Sequence, residues 1–208
     1  AVVSAELGHT DALPAEARQL TDAPDADVLA LLWSTGELRS VALLAFALQT
    51  AGVRASAMNV HECGIRSARS SQIALNTLAI RVSLERCPVV VVPGFLATSG
   101  QRVVTHGRGG SDLSAVLLSA ALGASRCVLV KDVDGYYTAD PRQRAGAELI
   151  QELSYDDALS MADDGCPLVQ RQALAEARAR GVEVIVRSFE SPGTRVGEKT
   201  SGFALQNA

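Results

Sequence analysis

The sequence predicts an α/β protein, a mostly parallel sheet covered by helices on both faces. Three observations carry that expectation. Residues 88–93 (P-V-V-V-V-P) form a continuous β-branched run, the mark of a strand buried on both faces. Apolar segments of strand length alternate along the chain with Ala/Leu-rich segments of helical length. Both polar, glycine-containing segments, residues 107–112 and 131–142, directly follow predicted strands, and ligands of open α/β sheets bind at strand carboxyl ends.

In chain order, residues 1–4 predict a short buried strand that runs into a polar turn at 6–10. Residues 21–27, rich in Asp, Ala and Pro, read as a loop. Residues 28–33 are apolar, and Ser34, Thr35, Gly36 and Glu37 interrupt them before a helix over 38–50. Gly52 ends that helix, since glycine accepts the left-handed conformation of a C-cap. Residues 53–60 alternate as a strand, and 61–71 read as an irregular surface loop. Apolar positions 73, 75, 78, 80, 82 and 84 are assigned to a helix. After the valine run, residues 101–105 predict a hairpin arm, 112–122 a helix ended by Gly123, and 127–130 another buried strand. Ser154 and Asp157 open the next helix as a capping box. A further helix over 168–180 stops at Gly181, 182–186 form a last strand, and the tail from Ser191 reads as a hairpin return or a frayed end.

Composition bounds the rest. With 208 residues, 48% hydrophobic and 20% charged, the chain is expected to form one soluble globular domain over 1–208 with a sizeable core. A net charge of −4 leaves no basic footprint for nucleic acid. Cys63, Cys87, Cys127 and Cys166 are scattered, as expected of reduced thiols in a cytoplasmic protein, and no metal is assigned to His61, Glu62 and Cys63. No apolar run reaches the length of a membrane span and no signal-peptide pattern is seen, so no membrane partner is expected. The chain begins without Met inside a strand pattern, and reads as a fragment or a truncated form.

The chemistry concentrates in G-R-G-G-S-D, residues 107–112. A strand, a glycine turn and a helix start form an anion site, because exposed N–H groups and the helix dipole favour negative charge. Arg108 adds a planar fork for a carboxylate or phosphate, and Asp112 a carboxylate in the first helical turn. His106 is expected at a strand end facing solvent, Trp33 in packing, and Asp134 in an Asx-type turn around Gly135.

Taken together these segments resemble the amino acid kinase superfamily, and within it the catalytic domain of aspartate kinases. Residues 2–11 look like V-V-S-A-x-x-x-x-T-D, residues 34–37 like a T-x-G-E helix start, and residues 93–95 contain the G-F turn. Residues 107–112 match G-R-G-G-S-D, residues 132–142 match D-V-D-G-x-Y-T-A-D-P-R almost letter for letter, and residues 153–156 and 186–189 continue in order. The resemblance covers nearly the whole chain. It implies a three-layer α/β/α sandwich of the acetylglutamate kinase-like kind, with ATP and Mg²⁺ as cofactors and phosphoryl transfer to the side-chain carboxylate of L-aspartate or a similar amino acid. It assigns Ser4, Thr10, Glu37, Phe95, Arg108, Gly109, Gly110 and Ser111 to the amino acid, with Glu37 on its ammonium and Arg108 on its α-carboxylate. Asp112 is the catalytic residue that organises the reacting groups. Asp132, Tyr137 and Arg142 belong to the nucleotide. A homodimer, or a second protein subunit, is the partner it implies.

Departures from the family pattern accompany the match. The sequence starts at what would be the family's second strand, so a form lacking the K-F-G-G-T-S strand that holds the transferring phosphates, and lacking the C-terminal regulatory module, is the expectation. Pro167 and Gln170 stand where a G-A-K-V-L-H-P segment has Lys and His, and Lys131 replaces the usual Thr before the D-V-D-G loop. Only Lys131 and Lys199 are lysines among the 19 basic residues, so Lys131 is the candidate catalytic and nucleotide-binding cation. A pseudokinase that binds ligands or a partner subunit is the alternative these departures suggest.

Overall fold

The computed structural model describes residues 1–67, 73–107, 109–166 and 168–198. Arg108, Pro167, Lys199, positions 68–72 and the rest of the tail lie outside the described residues. The chain divides into two compact units, Ala1–Leu122 and Gly123–Ala208.

The first unit runs β1 (Val2–Val3), α1 (His9–Leu20), α2 (Ala26–Thr50), β2 (Ala55–Ala57), β3 (Ile65–Ser67), β4 (Ile73–Leu75), α3 (Leu78–Leu84), β5 (Val89–Pro93), β6 (Leu96–Ser99), β7 (Arg102–Thr105) and α4 (Gly110–Leu122). Strand β5 lies between β1 and β2, parallel to both. Successive side chains of a strand point to opposite faces, and β5 shows what that does here. Val91 packs with Val41 and Ala45 of α2, while Val90 and Val92 pack with Ile80 of α3 and Leu118 of α4. Helices therefore cover both faces, which is why the valine run has no polar alternation. A second sheet, ordered β4-β3-β6-β7, contains the predicted hairpin arm as β7, antiparallel to β6.

The second unit runs β8 (Arg126–Val130), β9 (Glu152–Ser154), α5 (Tyr155–Asp163), α6 (Arg171–Arg180), β10 (Glu183–Arg187) and β11 (Thr194–Gly197). Its sheet order is β8-β10-β11-β9, with β8 parallel to β10, β9 parallel to β11, and β11 returning antiparallel to β10. Ser154 caps α5 by accepting the Asp157 N–H at 3.1 Å. Gly181 closes α6 in the left-handed conformation, φ 64°. The class is thus α/β, with mostly parallel sheets flanked by helices.

Several local expectations are corrected. Helix α2 runs unbroken through Ser34, Thr35, Gly36 and Glu37, from an Asp25 cap whose carboxylate accepts the Asp27 and Val28 N–H groups. The Ser34 and Thr35 hydroxyls do not break it because they donate to carbonyls of their own helix, Leu31 O at 2.6 Å and Leu32 O at 2.8 Å. By length and composition α2 would also suffice to cross a membrane; one side of it packs on β1, β2, β5, β7 and α1, while Val28, Leu31, Leu43 and Phe46 are exposed. Helix α1 is absent from the sequence reading because only Leu13 and Pro14 of its twelve residues are buried, too few for a periodic signal. The helix assigned across 73–84 is half strand: Ile73 and Leu75 pair with Ser67 and Ile65, and α3 starts only at Leu78. The strand read over 53–60 keeps three residues, and the helix read from 168 begins at Arg171. Strand β8 is covered on one face, since Val128 and Val130 remain half-exposed.

Candidate functional site

In the first unit, β1 and β5 end side by side, with Val3 opposite Pro93 and the Gly94 N–H donating to Val3 O at 2.8 Å. Ser4 and Phe95 are the side chains that follow these ends, and Ser4 is exposed. Phe95 is the one non-glycine residue among those described with positive φ, 62°. The Leu96 N–H donates to Gly94 O at 2.6 Å, closing a three-residue turn of the strained hand around it. Such a backbone costs about 1–3 kcal/mol and persists only where its surroundings hold it. They do so here: the Phe95 ring meets Trp33 edge-on, centroids 5.8 Å apart, and its carbonyl accepts the His106 N–H at 2.9 Å. Trp33 in turn donates its indole N–H to Thr10 O at 3.0 Å, which ties Thr10 on α1 to the same cluster.

The start of α4 presses against this turn. A Cβ on Gly94 would stand 2.7 Å from the Ser111 side chain, and one on Gly110 would stand 2.9 Å from His106 Cβ and 3.1 Å from the Phe95 ring. Glycine is therefore required at both positions for the loop and the helix to touch. Gly107 and Gly109 adopt φ 76° and 73°, and the Asp112 N–H donates to Gly109 O at 3.1 Å, placing a buried carboxylate in the first turn. Gly94→Ala is expected to destabilise the protein by about 1–3 kcal/mol, the usual effect of overpacking. An unchanged melting temperature in calorimetry would contradict the contact.

Glu37 sits in the middle of α2 and is 3% exposed. Its carboxylate accepts the Ala5 N–H, so the residue after Ser4 is part of its setting. Its other oxygen, Oε2, is buried with no hydrogen-bond partner among the described residues. Burial raises its pKa to about 7. A buried carboxylate oxygen without a donor is costly, and a cationic group placed there would satisfy it. His106 departs from the expected solvent-facing histidine: Nε2 is buried with no hydrogen-bond partner among the described residues, and burial lowers its pKa.

In the second unit, Lys131 and Asp132 follow the carboxyl end of β8. The Lys131 N–H donates to Arg187 O at 2.8 Å, extending the parallel pairing with β10 by one step; the Lys131 side chain is half-buried and Asp132 is exposed. Tyr136 anchors the loop: it is 1% exposed, and its N–H donates to Thr194 Oγ1 at 2.8 Å. Gly135 has φ 149° and passes so close to Thr194 that a Cβ would stand 2.5 Å from Oγ1. Tyr137 donates its hydroxyl to Asp134 Oδ2 at 3.2 Å, and the Ser188 hydroxyl donates to Asp134 Oδ1 at 2.5 Å. Asp134 is thus a clamp between two distant segments rather than a local turn, a role with no sequence signal because Ser188 is far away in the chain. Arg142 belongs to a separate exposed turn, its N–H donating to Asp140 Oδ1 at 2.9 Å.

Among the described residues no group of three or more His, Cys, Asp or Glu is placed to hold a metal. Mg²⁺ asks for less, since it keeps several waters and takes one or two carboxylates alongside phosphate oxygens. Asp132, exposed at a strand end, fits that requirement.

The model of the Amino acid kinase family matches residues 1–188. An aspartokinase of Thermus thermophilus is 39% identical over 206 residues, covering 95% of this chain and 51% of that protein. Aspartokinase 2 of Bacillus subtilis is 36% identical over 209 residues, covering 96% of this chain and 51% of that protein. The chain therefore spans about half the length of the curated relatives it matches. Among solved structures, aspartate kinase from Synechocystis superposes with a TM-score of 0.85 at 37% identity, covering 95% of this chain and 34% of that one. E. coli aspartokinase III, in complex with aspartate and ADP, superposes with a TM-score of 0.78 at 30% identity, covering 92% of this chain and 45% of that one.

Proposed function

The chain belongs to the amino acid kinase family, and on that footing we propose that it moves the γ-phosphoryl group of ATP to the side-chain carboxylate of L-aspartate or a similar amino acid. The observation that carries this reading is Glu37, a buried carboxylate with an oxygen that lacks a donor, beside Ser4 and Ala5. An α-amino acid supplies the missing donor as its ammonium group. The similarity to E. coli aspartokinase III, crystallised with aspartate and ADP, supports the choice of ligands.

In this reading Glu37 binds the ammonium and Arg108 the α-carboxylate, while Ser4, Thr10, Phe95, Gly109, Gly110 and Ser111 shape the amino-acid side. Asp112, fixed in the first turn of α4, orients the reacting groups. Lys131 opposes the charge of the transferring phosphoryl group, and Asp132, Tyr137 and Arg142 hold the nucleotide. An oxygen of the substrate carboxylate forms a bond to the γ-phosphorus as the bond to the β,γ-bridging oxygen breaks, and ADP leaves. No proton has to move, because the acceptor is already ionised. Positioning and charge stabilisation are then the protein's whole task. Mg²⁺ bound with the nucleotide, with Asp132 as its protein ligand, would neutralise phosphate charge. A homodimer, a cytoplasmic location and a place in amino-acid biosynthesis form part of the same proposal.

The test is direct. With ATP, Mg²⁺, L-aspartate and hydroxylamine, the protein is expected to yield aspartyl hydroxamate and ADP, and Asp112→Asn to lose both products. Binding of both ligands without hydroxamate identifies a binding-only member of the family. Failure to bind either ligand overturns the reading altogether.

A further inference from the structure

Phe189 is the most exposed large apolar side chain described in the second unit, at 86%. Its backbone is nevertheless held from several directions. Arg187 donates from Nε to Ser188 O at 2.8 Å and from Nη2 to Phe189 O at 3.1 Å. The Ser188 hydroxyl donates to Asp134 at 2.5 Å and accepts the Glu190 N–H at 3.2 Å. The other oxygen of Asp134 takes the Tyr137 hydroxyl. One carboxylate thus ties Tyr137 to the residue preceding Phe189. Because β8 and β10 are parallel and Lys131 N–H reaches Arg187 O, Phe189 stands beyond the same strand ends as Lys131 and Asp132.

A ring kept in water on a fixed backbone calls for an occupant. Its chain neighbours Ser188 and Glu190 are polar or charged, and so is Asp134, which accepts from the Ser188 hydroxyl. A single flat ring with a polar rim suits a flat ligand, and nucleobases stack on aromatic side chains in that way. We propose that Phe189 is the base-stacking residue of the nucleotide site, and that Asp134, acting through Ser188, is the residue that positions it. The inference rests on the reading that this unit binds ATP, and adds the residue that would recognise the base. A purine, with the larger π face, is the ligand class it favours.

Calorimetric titration of the full chain with ATP, and with inorganic tripolyphosphate as a probe lacking a base, tests it. Phe189→Ala is expected to weaken ATP binding about tenfold or more, in line with the stacking energies of aromatic side chains, and to leave tripolyphosphate binding unchanged. Phe189→Trp is expected to keep ATP affinity and to show quenched indole emission as ATP is added. Asp134→Ala is expected to follow Phe189→Ala, with affinity restored in Asp134→Asn, which keeps an acceptor for Ser188. If Phe189→Ala binds ATP as tightly as the parent, or loses ATP and tripolyphosphate equally, the stacking role is overturned. Lys131→Ala weakening both ligands in that same experiment would leave the nucleotide site itself standing. If the parent chain binds neither ligand, both the nucleotide reading and the stacking role fall.

Discussion

Glu37→Gln is expected to bind the amino acid about 30-fold more weakly or worse, and to melt at a higher temperature than the parent above pH 7. The binding loss follows from removing the charged partner of a buried ammonium, an effect of about 2–5 kcal/mol. The stability gain follows from the raised pKa, about 7 in the fold against an ordinary value of 4.5. Below pH 4.5 the carboxyl is protonated in both folded and unfolded chains and costs nothing. As pH rises from 4.5 to 7, the unfolded chain releases the proton and the folded chain retains it, so folding is increasingly opposed. Above pH 7 the cost is complete, about 3 kcal/mol. The melting-temperature difference between Glu37→Gln and parent should therefore widen from pH 5 to pH 8. Binding an ammonium draws the carboxyl back to its ionised form, so the amino acid should release a proton on binding. Parental affinity should accordingly rise with pH and level off near 7, whereas the affinity of Glu37→Gln should stay flat. Titration calorimetry across pH 5.5–8 reads all of this; equal affinities in the two proteins would remove Glu37 from the site.

Lys131→Ala is expected to lower turnover about 10²–10³-fold, the usual result of removing one charge-stabilising donor from a transition state. The amino-acid KM should change little, because the residue acts on the phosphoryl group. Lys131→Arg should recover part of the rate, since the charge is kept and its geometry is not. Single-turnover hydroxamate formation is the measurement, and an undiminished rate in Lys131→Ala would send the phosphate cation elsewhere in the chain.

Much of the scaffold was legible because its signals are local. The valine run is β5, the glycine turn does open α4, and Gly52 and Gly181 do end α2 and α6. The polar loop after β8 is where the sequence put it, and β11 is the hairpin return, one of the two expectations for the tail. Where local signals competed with pairing, pairing won: Ile73 and Leu75 have helical spacing to Leu78 and Ile80, yet β3 takes them as an edge strand. The S-T-G-E segment looked like a helix start, because hydroxyl residues and glycine usually stand at ends. Within α2 its hydroxyls turn back on their own helix, and Gly36 admits Ala5, whose Cβ would stand 3.1 Å from one added there.

By itself, then, the sequence determined the α/β class, the buried strand β5 and the glycine turn that opens α4, because caps, glycine turns and strand periods are set by near neighbours. Only the tertiary structure decided what individual residues experience. Glu37 owes its raised pKa to burial and its remaining hydrogen bond to Ala5, in the loop after β1. Phe95 keeps its strained turn because Trp33 and His106 close around it. Asp134 is a clamp rather than a turn because Ser188, 54 residues away, donates to it. Desolvation, strain and orphaned polar atoms are set by groups far apart in the chain, so no window of sequence contains them.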